Sequence, residues 1–374
     1  MSNYTKFKKI IFGIVGFYTN RKIVVIESDD WGSIRMPSFD VYNKCLNTGY
    51  PVDLNPFERY DSLASETDLN LLFDLLSSYK DMNGNHPVIT ANCVVANPDF
   101  LKIRASEFQF YHYELITETF KRYPNHSSNF EIWLNAKSNG LFFPQFHARE
   151  HVNVSKFMSA LQHKEEDVVF GFNNEMPGSI RKGSVRSGNY FVEATHFSNE
   201  EDKLDKLMIY LDGLAIFEQL FGYRSESVTP TNYIWSKDYN KSISEEGVKY
   251  IQGVRKMKEP NLVTPKYYNR YLGKKNEFNQ IDLVRNCDFE PSIHKNKNVV
   301  DECLNDIKIA FIMGKPAIIS SHRINYVGNI DASNRDKTLK SLNQILKIAC
   351  SKWPDIEFMT SVQLGNLINK SIKL

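Results

Sequence analysis

Short runs of branched and aromatic residues recur along this 374-residue chain, separated by longer stretches whose apolar positions fall every three or four residues. Compact apolar runs signal strands, and the three-to-four spacing is that of a one-sided helix. The pattern predicts strands at Lys22–Ser28, Pro87–Val94, Phe142–Phe146, Val168–Phe172, Phe221–Ser225, Tyr250–Val254, Ile281–Arg285, Pro316–Ser321 and Ile356–Thr360. Helices are predicted between them. Glu66–Tyr79 carries Leu69, Leu72, Phe73 and Leu76 on one face, with Ser65 as its cap; Asn199–Leu220 opens with acids and carries Leu204, Leu207, Leu211, Leu214 and Phe217. Val299–Met313 and Asn334–Ser351 repeat the pattern, whereas Asn173–Ser198 and Tyr267–Asn279 read as insertions or loops.

Strand followed by helix, many times over, calls for parallel strands joined by crossover helices. A barrel is favoured over an open doubly wound sheet, because no G-x-G-x-x-G or G-x-x-x-x-G-K-[ST] motif follows any strand. Without internal repeats or a linker rich in Gly, Ser or Pro, residues 21–374 are expected to form one domain, behind a helical extension over residues 1–20.

Charge narrows the partner. Lys plus Arg total 46 against 44 Asp plus Glu, a formal net charge of +2, which gives no electrostatic argument for nucleic acid. At the N-terminus Lys6, Lys8 and Lys9 precede the apolar stretch Ile10–Tyr18, too short to span a bilayer. It suits a packed helix or peripheral contact with the inner face of a membrane. The five cysteines are odd in number and lack C-x-x-C spacing, which fits a reducing compartment and a cytoplasmic protein.

The candidate chemistry sits at strand ends. Asp29 and Asp30 close the first run, His147 closes Leu141-Phe-Phe-Pro-Gln-Phe-His147 with His151 four residues on, and His322 closes Ala317-Ile-Ile-Ser-Ser-His322. In a parallel barrel all strand C-termini open on one face, so these residues are expected to converge. One carboxylate and two imidazoles can form the protein side of a divalent metal site, leaving a second carboxylate free to move protons. Taken singly, an Asp pair after a strand is also a common turn or cap, and a lone histidine is often structural. Trp31 suits either stacking on a sugar ring or packing at the barrel mouth.

The order strand-Asp-Asp, then His-x-x-x-His about a hundred residues on, then an apolar strand ending in His, resembles the NodB-type polysaccharide deacetylases, within a superfamily of sugar deacetylases and related glycoside hydrolases. The resemblance implies a distorted (β/α) barrel of about seven strands and a metal-dependent hydrolase, most simply a zinc enzyme, that removes an acyl group, N-acetyl above all, from a sugar of a polysaccharide or oligosaccharide precursor. Carried over, it makes Asp29 the catalytic base, Asp30, His147 and His151 the metal ligands, and His322 the general acid. The family's Arg-x-Pro motif has a loose echo in Arg224-Ser-Glu-Ser-Val-Thr-Pro230, which makes Arg224 the residue that orients the base; Asp288, in Asn286-Cys-Asp-Phe-Glu290, is the counterpart of the acid that orients the late histidine. The chain departs from the family's Thr-Phe-Asp-Asp-Gly in Glu27-Ser-Asp-Asp-Trp-Gly32, and from His-Ser/Thr-x-x-His in His147-Ala-Arg-Glu-His151.

Three rivals remain at this level. The Asp and two His also match a non-haem iron facial triad, although those proteins are antiparallel jelly rolls. A metal-independent glycoside hydrolase would need a second carboxylate facing Asp29, for which Glu150 and Glu226 are the candidates. A sugar-binding pseudoenzyme is the non-catalytic alternative, against which the full Asp, His, His, His set argues.

Overall fold

The computed structural model describes residues 15–177, 182, 191–260, 264, 266–294 and 298–372. The helix expected over residues 1–20 falls mainly on 1–14, outside the described residues; the described part, 15–20, is not helical, and Phe17 N–H donates to the Leu272 carbonyl at 2.9 Å.

At the centre runs β1 (Lys22–Trp31), whose Ile23-Val-Val-Ile26 core is buried on both faces, as expected of an interior strand in a parallel sheet. Eight further strands join it: β2 (Ile89–Val94), β3 (Phe142–Ala148), β4 (Ser227–Val228), β5 (Tyr250–Ile251), β6 (Ile281–Asp282), β7 (Cys287–Asp288), β8 (Ala317–His322) and β9 (Ile356–Phe358). Their order is β6-β5-β4-β3-β2-β1-β8-β7, every pair parallel, with β9 paired to the first residues of β1. The ends of this curled sheet, β6 and β7, follow one another in the chain, yet among the described residues no ladder joins them. The result is an α/β distorted barrel with an open seam, carrying nine strands in its sheet where about seven were expected.

The crossover helices follow the expected pattern. Helix α1 (Glu66–Ser77) starts with a complete capping box, in which Ser65 and Asp68 exchange side-chain-to-backbone bonds. Helix α2 (Glu200–Phe221) starts at Asn199 and ends at Gly222, whose φ of 74° stops the helix. Glycine has a second use in α2. A Cβ on Gly213 would lie 2.6 Å from Phe146 Cζ, so only glycine lets the helix close down on β3 beside His147. Helices α3 (Val299–Ile312), α4 (Ala332–Lys352) and α5 (Ser361–Ile372) follow in the last part of the chain.

Two expected strands are corrected. Val168–Phe172 belongs to a helix, Glu166–Asn173, whose first turn carries Glu166 and Asp167; acids favour the positive end of a helix dipole, and a five-residue apolar run cannot by itself distinguish the two states. Phe221–Ser225 spans the end of α2 and a loop, and pairing begins only at Ser227. Two antiparallel strand pairs lie outside the barrel sheet, Ala96–Pro98 with Tyr113–Leu115 and Lys256–Glu259 with Lys266–Asn269, the last strand overlapping the start of Tyr267–Asn279, a stretch expected to be loop.

Candidate active site

Register brings the site together. In the β1–β8 ladder Asp29 is the direct partner of His322, and in the β2–β3 ladder the strand carrying His147 lies one strand beyond β2, which itself pairs with β1. Successive residues of a strand normally face opposite sides, which would send one of two adjacent aspartates away from the mouth. Here the β1–β2 pairing slips between Ser28 and Trp31, and Asp30 adopts a left-handed φ of 74°, so both carboxylates can be used on the same side. The turn that follows is pinned by Asn97, which accepts from Ile34 N–H at 2.9 Å and donates to the Gly32 carbonyl at 2.9 Å.

Asp30, His147 and His151 form one buried group whose ligand atoms all lie within 4.8 Å of one another. Asp30 Oδ1 is 3.4 Å from His147 Nε2 and 3.1 Å from His151 Nε2. His147 Nδ1 lies 2.6 Å from the Thr229 carbonyl, an acceptor only, so Nδ1 donates there and Nε2 is the nitrogen turned toward Asp30. That Nε2 is buried without a hydrogen-bond partner. Burial pushes the His151 imidazole toward its neutral form, partly offset by the charge of Asp30. The two histidines hold the Asp30 carboxyl well below its usual range despite its burial, and one carboxylate with two imidazole nitrogens is a donor set that fits a divalent ion of the zinc type.

Asp29 stands apart from that group. Arg285 grips it with two parallel bonds, Nη1 to Oδ2 and Nη2 to Oδ1, both 2.7 Å, and Asn92 Nδ2 donates to Oδ1 at 2.7 Å. Burial alone would raise the Asp29 carboxyl; the guanidinium overrides it and brings the group down to about 2. Arg285 is itself anchored by Glu27 Oε2 at 2.6 Å and donates to the Tyr233 hydroxyl at 2.8 Å. Opposite, His322 Nε2 lies 3.7 Å from Asp29 Oδ2 while its Nδ1 meets Glu290 Oε1 at 2.5 Å. Burial would lower the His322 imidazole, but the Glu290 carboxylate raises it to about 10, so it is a cation at neutral pH. Asn325 fixes the other oxygen of Glu290 at 2.6 Å.

Of the residues singled out in the sequence, Asp29, Asp30, His147, His151 and His322 are brought together and two are not. Arg224 is more than half exposed and pairs with Glu218 at 3.0 Å; the arginine on Asp29 is Arg285. Asp288 is half exposed and faces His294 at 3.5 Å; the acid on His322 is Glu290, two residues on. Asp288 still belongs to β7, whereas Glu290 lies past its end and is buried against His322 and Asn325. Arg285 had a legible signal: it closes the predicted strand Ile281–Arg285, by the same strand-end rule that picked out the others. Glu27, Asn92 and Tyr233 had none. The rival carboxylates are also engaged elsewhere, Glu150 with Arg149 at 2.7 Å and Glu226 with Lys249 at 2.7 Å. Trp31 is fully buried against Trp133, Phe142 and Tyr326, with its indole N–H on Ser28 Oγ at 3.0 Å, so it packs the core.

No protein-family model matches the sequence, and no curated protein does. Solved structures do resemble it. A putative glycoside hydrolase/deacetylase from Parabacteroides distasonis is 10% identical with a TM-score of 0.51, over 95% of this chain and 73% of that one. A putative polysaccharide deacetylase from Mycobacterium smegmatis is 10% identical with a TM-score of 0.47, over 96% and 93%. A 4-alpha-glucanotransferase from Thermococcus litoralis is 9% identical with a TM-score of 0.44; 92% of this chain matches it, spanning only 40% of its length. The chain therefore shares its fold with the Parabacteroides structure, the α/β distorted barrel that the resemblance of its Asp-Asp and His-x-x-x-His motifs implied.

Proposed function

We propose that the protein is a metal-dependent hydrolase that removes an acyl group, N-acetyl above all, from a sugar of a polysaccharide or oligosaccharide precursor. The observation that carries this reading is the division of the two adjacent carboxylates: Asp30 turned toward two imidazoles, Asp29 clamped by Arg285 and facing a protonated histidine. Support also comes from the shared fold and from the engagement elsewhere of Glu150 and Glu226, which removes the carboxylate pair a glycoside hydrolase would need.

Asp30, His147 and His151 would hold the ion, most simply zinc, whose chemistry there is to acidify a water and polarise the acyl carbonyl. The chain's own residues do the rest. Asp29 remains ionised throughout the neutral range and has one oxygen, Oδ2, turned toward His322, where it can accept a proton from an acidified water. A carboxylate so acidic is a weak base, so this step depends on the water being acidified as well. His322, kept charged by Glu290, can deliver a proton to the departing amine or alcohol, which could not leave as a bare anion. The five free thiols support a reducing compartment, and we place the protein in the cytoplasm on that ground. Among the described residues no helix is long and apolar enough to cross a membrane.

The test joins metal analysis with acetate release from a panel of N-acetylated and O-acetylated sugars. One divalent ion per chain, lost in His151→Ala, together with metal-dependent acetate release, is expected. Full turnover after removal of the metal would overturn the reading.

A further inference from the structure

The mouth of the site holds a guanidinium that the hydrolysis does not use. Arg35, in the loop after β1, lies 3.9 Å (Nη2) from Asp30 Oδ2 and 3.7 Å (Nε) from Asp61 Oδ2, both longer than hydrogen bonds. Its Nε is buried without a hydrogen-bond partner, and so is Asp61 Oδ2. Asp61 takes its hydrogen bonds from another arginine: the fully buried Arg323 donates to Asp61 Oδ1 from Nε at 3.0 Å and from Nη2 at 2.9 Å, and Arg35 adds only its charge. An arginine fork with unused N–H groups in a partly dry setting is costly unless something else accepts from it.

The surroundings say where that acceptor would lie. Phe57, half-buried, lies 5.6 Å from the guanidinium by its ring centroid and meets the His322 ring nearly at right angles, with centroids also 5.6 Å apart. Arg35, Phe57 and His322 thus form one wall of the mouth, with 17% of the Arg35 side chain and 20% of the His322 side chain open to solvent. Phe57 offers an aromatic face of the kind that packs against a sugar ring, the role Trp31 is too buried to fill.

We infer that Arg35 receives an oxyanion carried by the substrate, so that the acylated sugar is an acidic one, bearing a carboxylate or a phosphate on the sugar that sits against Phe57. This rests on the hydrolase reading for the identity of the substrate as an acylated sugar, but the recognition can be measured without catalysis. A charge-assisted hydrogen bond of this kind is worth roughly ten- to a hundredfold in affinity.

Binding of three probes to the metal-stripped full chain is followed by calorimetry: N-acetylglucosamine, N-acetylglucosamine 6-phosphate and 2-acetamido-2-deoxyglucuronic acid. Stripping the metal removes direct coordination of the anion as a confounding source of preference. Wild-type protein should bind at least one acidic probe about tenfold or more tighter than the neutral one. The larger preference identifies carboxylate or phosphate as the group read. In Arg35→Met the acid-to-neutral ratio should collapse toward one, and in the metal-loaded protein the ratio of kcat/KM values should collapse with it. If Arg35→Met melts well below wild type, Arg35→Lys serves instead and should lower the ratio several-fold, because an ammonium keeps the charge without the fork. Equal wild-type affinity for all three probes, or an undiminished ratio in a folded variant, overturns the inference. Should no sugar be hydrolysed while the Arg35-dependent preference persists, the reaction reading falls and the acidic-ligand reading stands.

Discussion

The two halves of the site are built differently. On the β1–β3 side, Asp30 and His147 sit on the long, interior strands of the sheet with His151 just past the end of β3, and their arrangement needs only one slipped pairing, one left-handed residue and a four-residue spacing. On the β6–β8 side the strands beside the open seam are two residues long, and the geometry there comes from buried ion pairs spanning the fold: Glu27 and Asp29 to Arg285, Glu290 to His322. The two histidines are placed by a four-residue spacing and the strand-end rule, whereas the charge states of Asp29 and His322 are set by ion-pair partners that no strand-end spacing predicts.

Substitutions on the two sides should therefore fail in different ways. The largest loss is expected from Asp29→Asn, which keeps the Asn92 and metal surroundings but cannot accept a proton; turnover should fall about 10³- to 10⁴-fold with metal content unchanged. Near-normal turnover would show that the two aspartates have been given the wrong roles.

Next comes Arg285→Met, expected to lower kcat about a hundredfold by leaving Asp29 and Glu27 buried without their cation. As a positioning residue it has a signature of its own. With the guanidinium gone, the Asp29 carboxyl must rise from about 2, so the acid limb of the pH–rate profile should move to higher pH, a shift that a general loss of structure would not produce.

His322 supplies a pH test of smaller size. Its folded pKa of about 10 lies above the unfolded value of about 6.5. The pair with Glu290 therefore contributes stability that is fully present below about 6.5 and is lost as pH rises toward 10. Metal-stripped wild type should melt progressively closer to His322→Gln over that window, and the alkaline limb of kcat should fall near 10, the folded value. For the variant, turnover of a substrate with a poor leaving group should drop more than that of an activated aryl acetate, and equal losses would take the general-acid role away from His322.

The smallest effects are expected at Arg224 and Asp288, both exposed and each paired to one partially exposed neighbour. Arg224→Ala and Asp288→Ala should change stability by no more than about 1 kcal/mol and leave kcat within about threefold. A hundredfold loss in either would restore the residue to the site and undo the contrast between the two halves.

The strand-and-helix alternation, the long interior strands and the convergence of Asp29, Asp30, His147, His151 and His322 at one mouth were legible in the sequence. They depend on periodicity and on the rule that parallel strands end on one face, both local in origin. What stayed hidden was of another kind. Val168–Phe172 is helical because the acids before it and the neighbours around it decide between two states that a short apolar run leaves open. The barrel's open seam follows from how far β6 and β7 fail to meet, which no single strand encodes. Arg285 replaces Arg224, and Glu290 replaces Asp288, because an ion pair is selected by distance and burial at the end of folding, across sequence separations of 256 residues for Arg285–Asp29 and 32 for Glu290–His322. Residue type and spacing determined which groups could hold a metal; only the tertiary structure, by drying the site and matching each buried charge to a partner, decided which carboxylate is clamped by an arginine and which histidine is held as a cation by a glutamate.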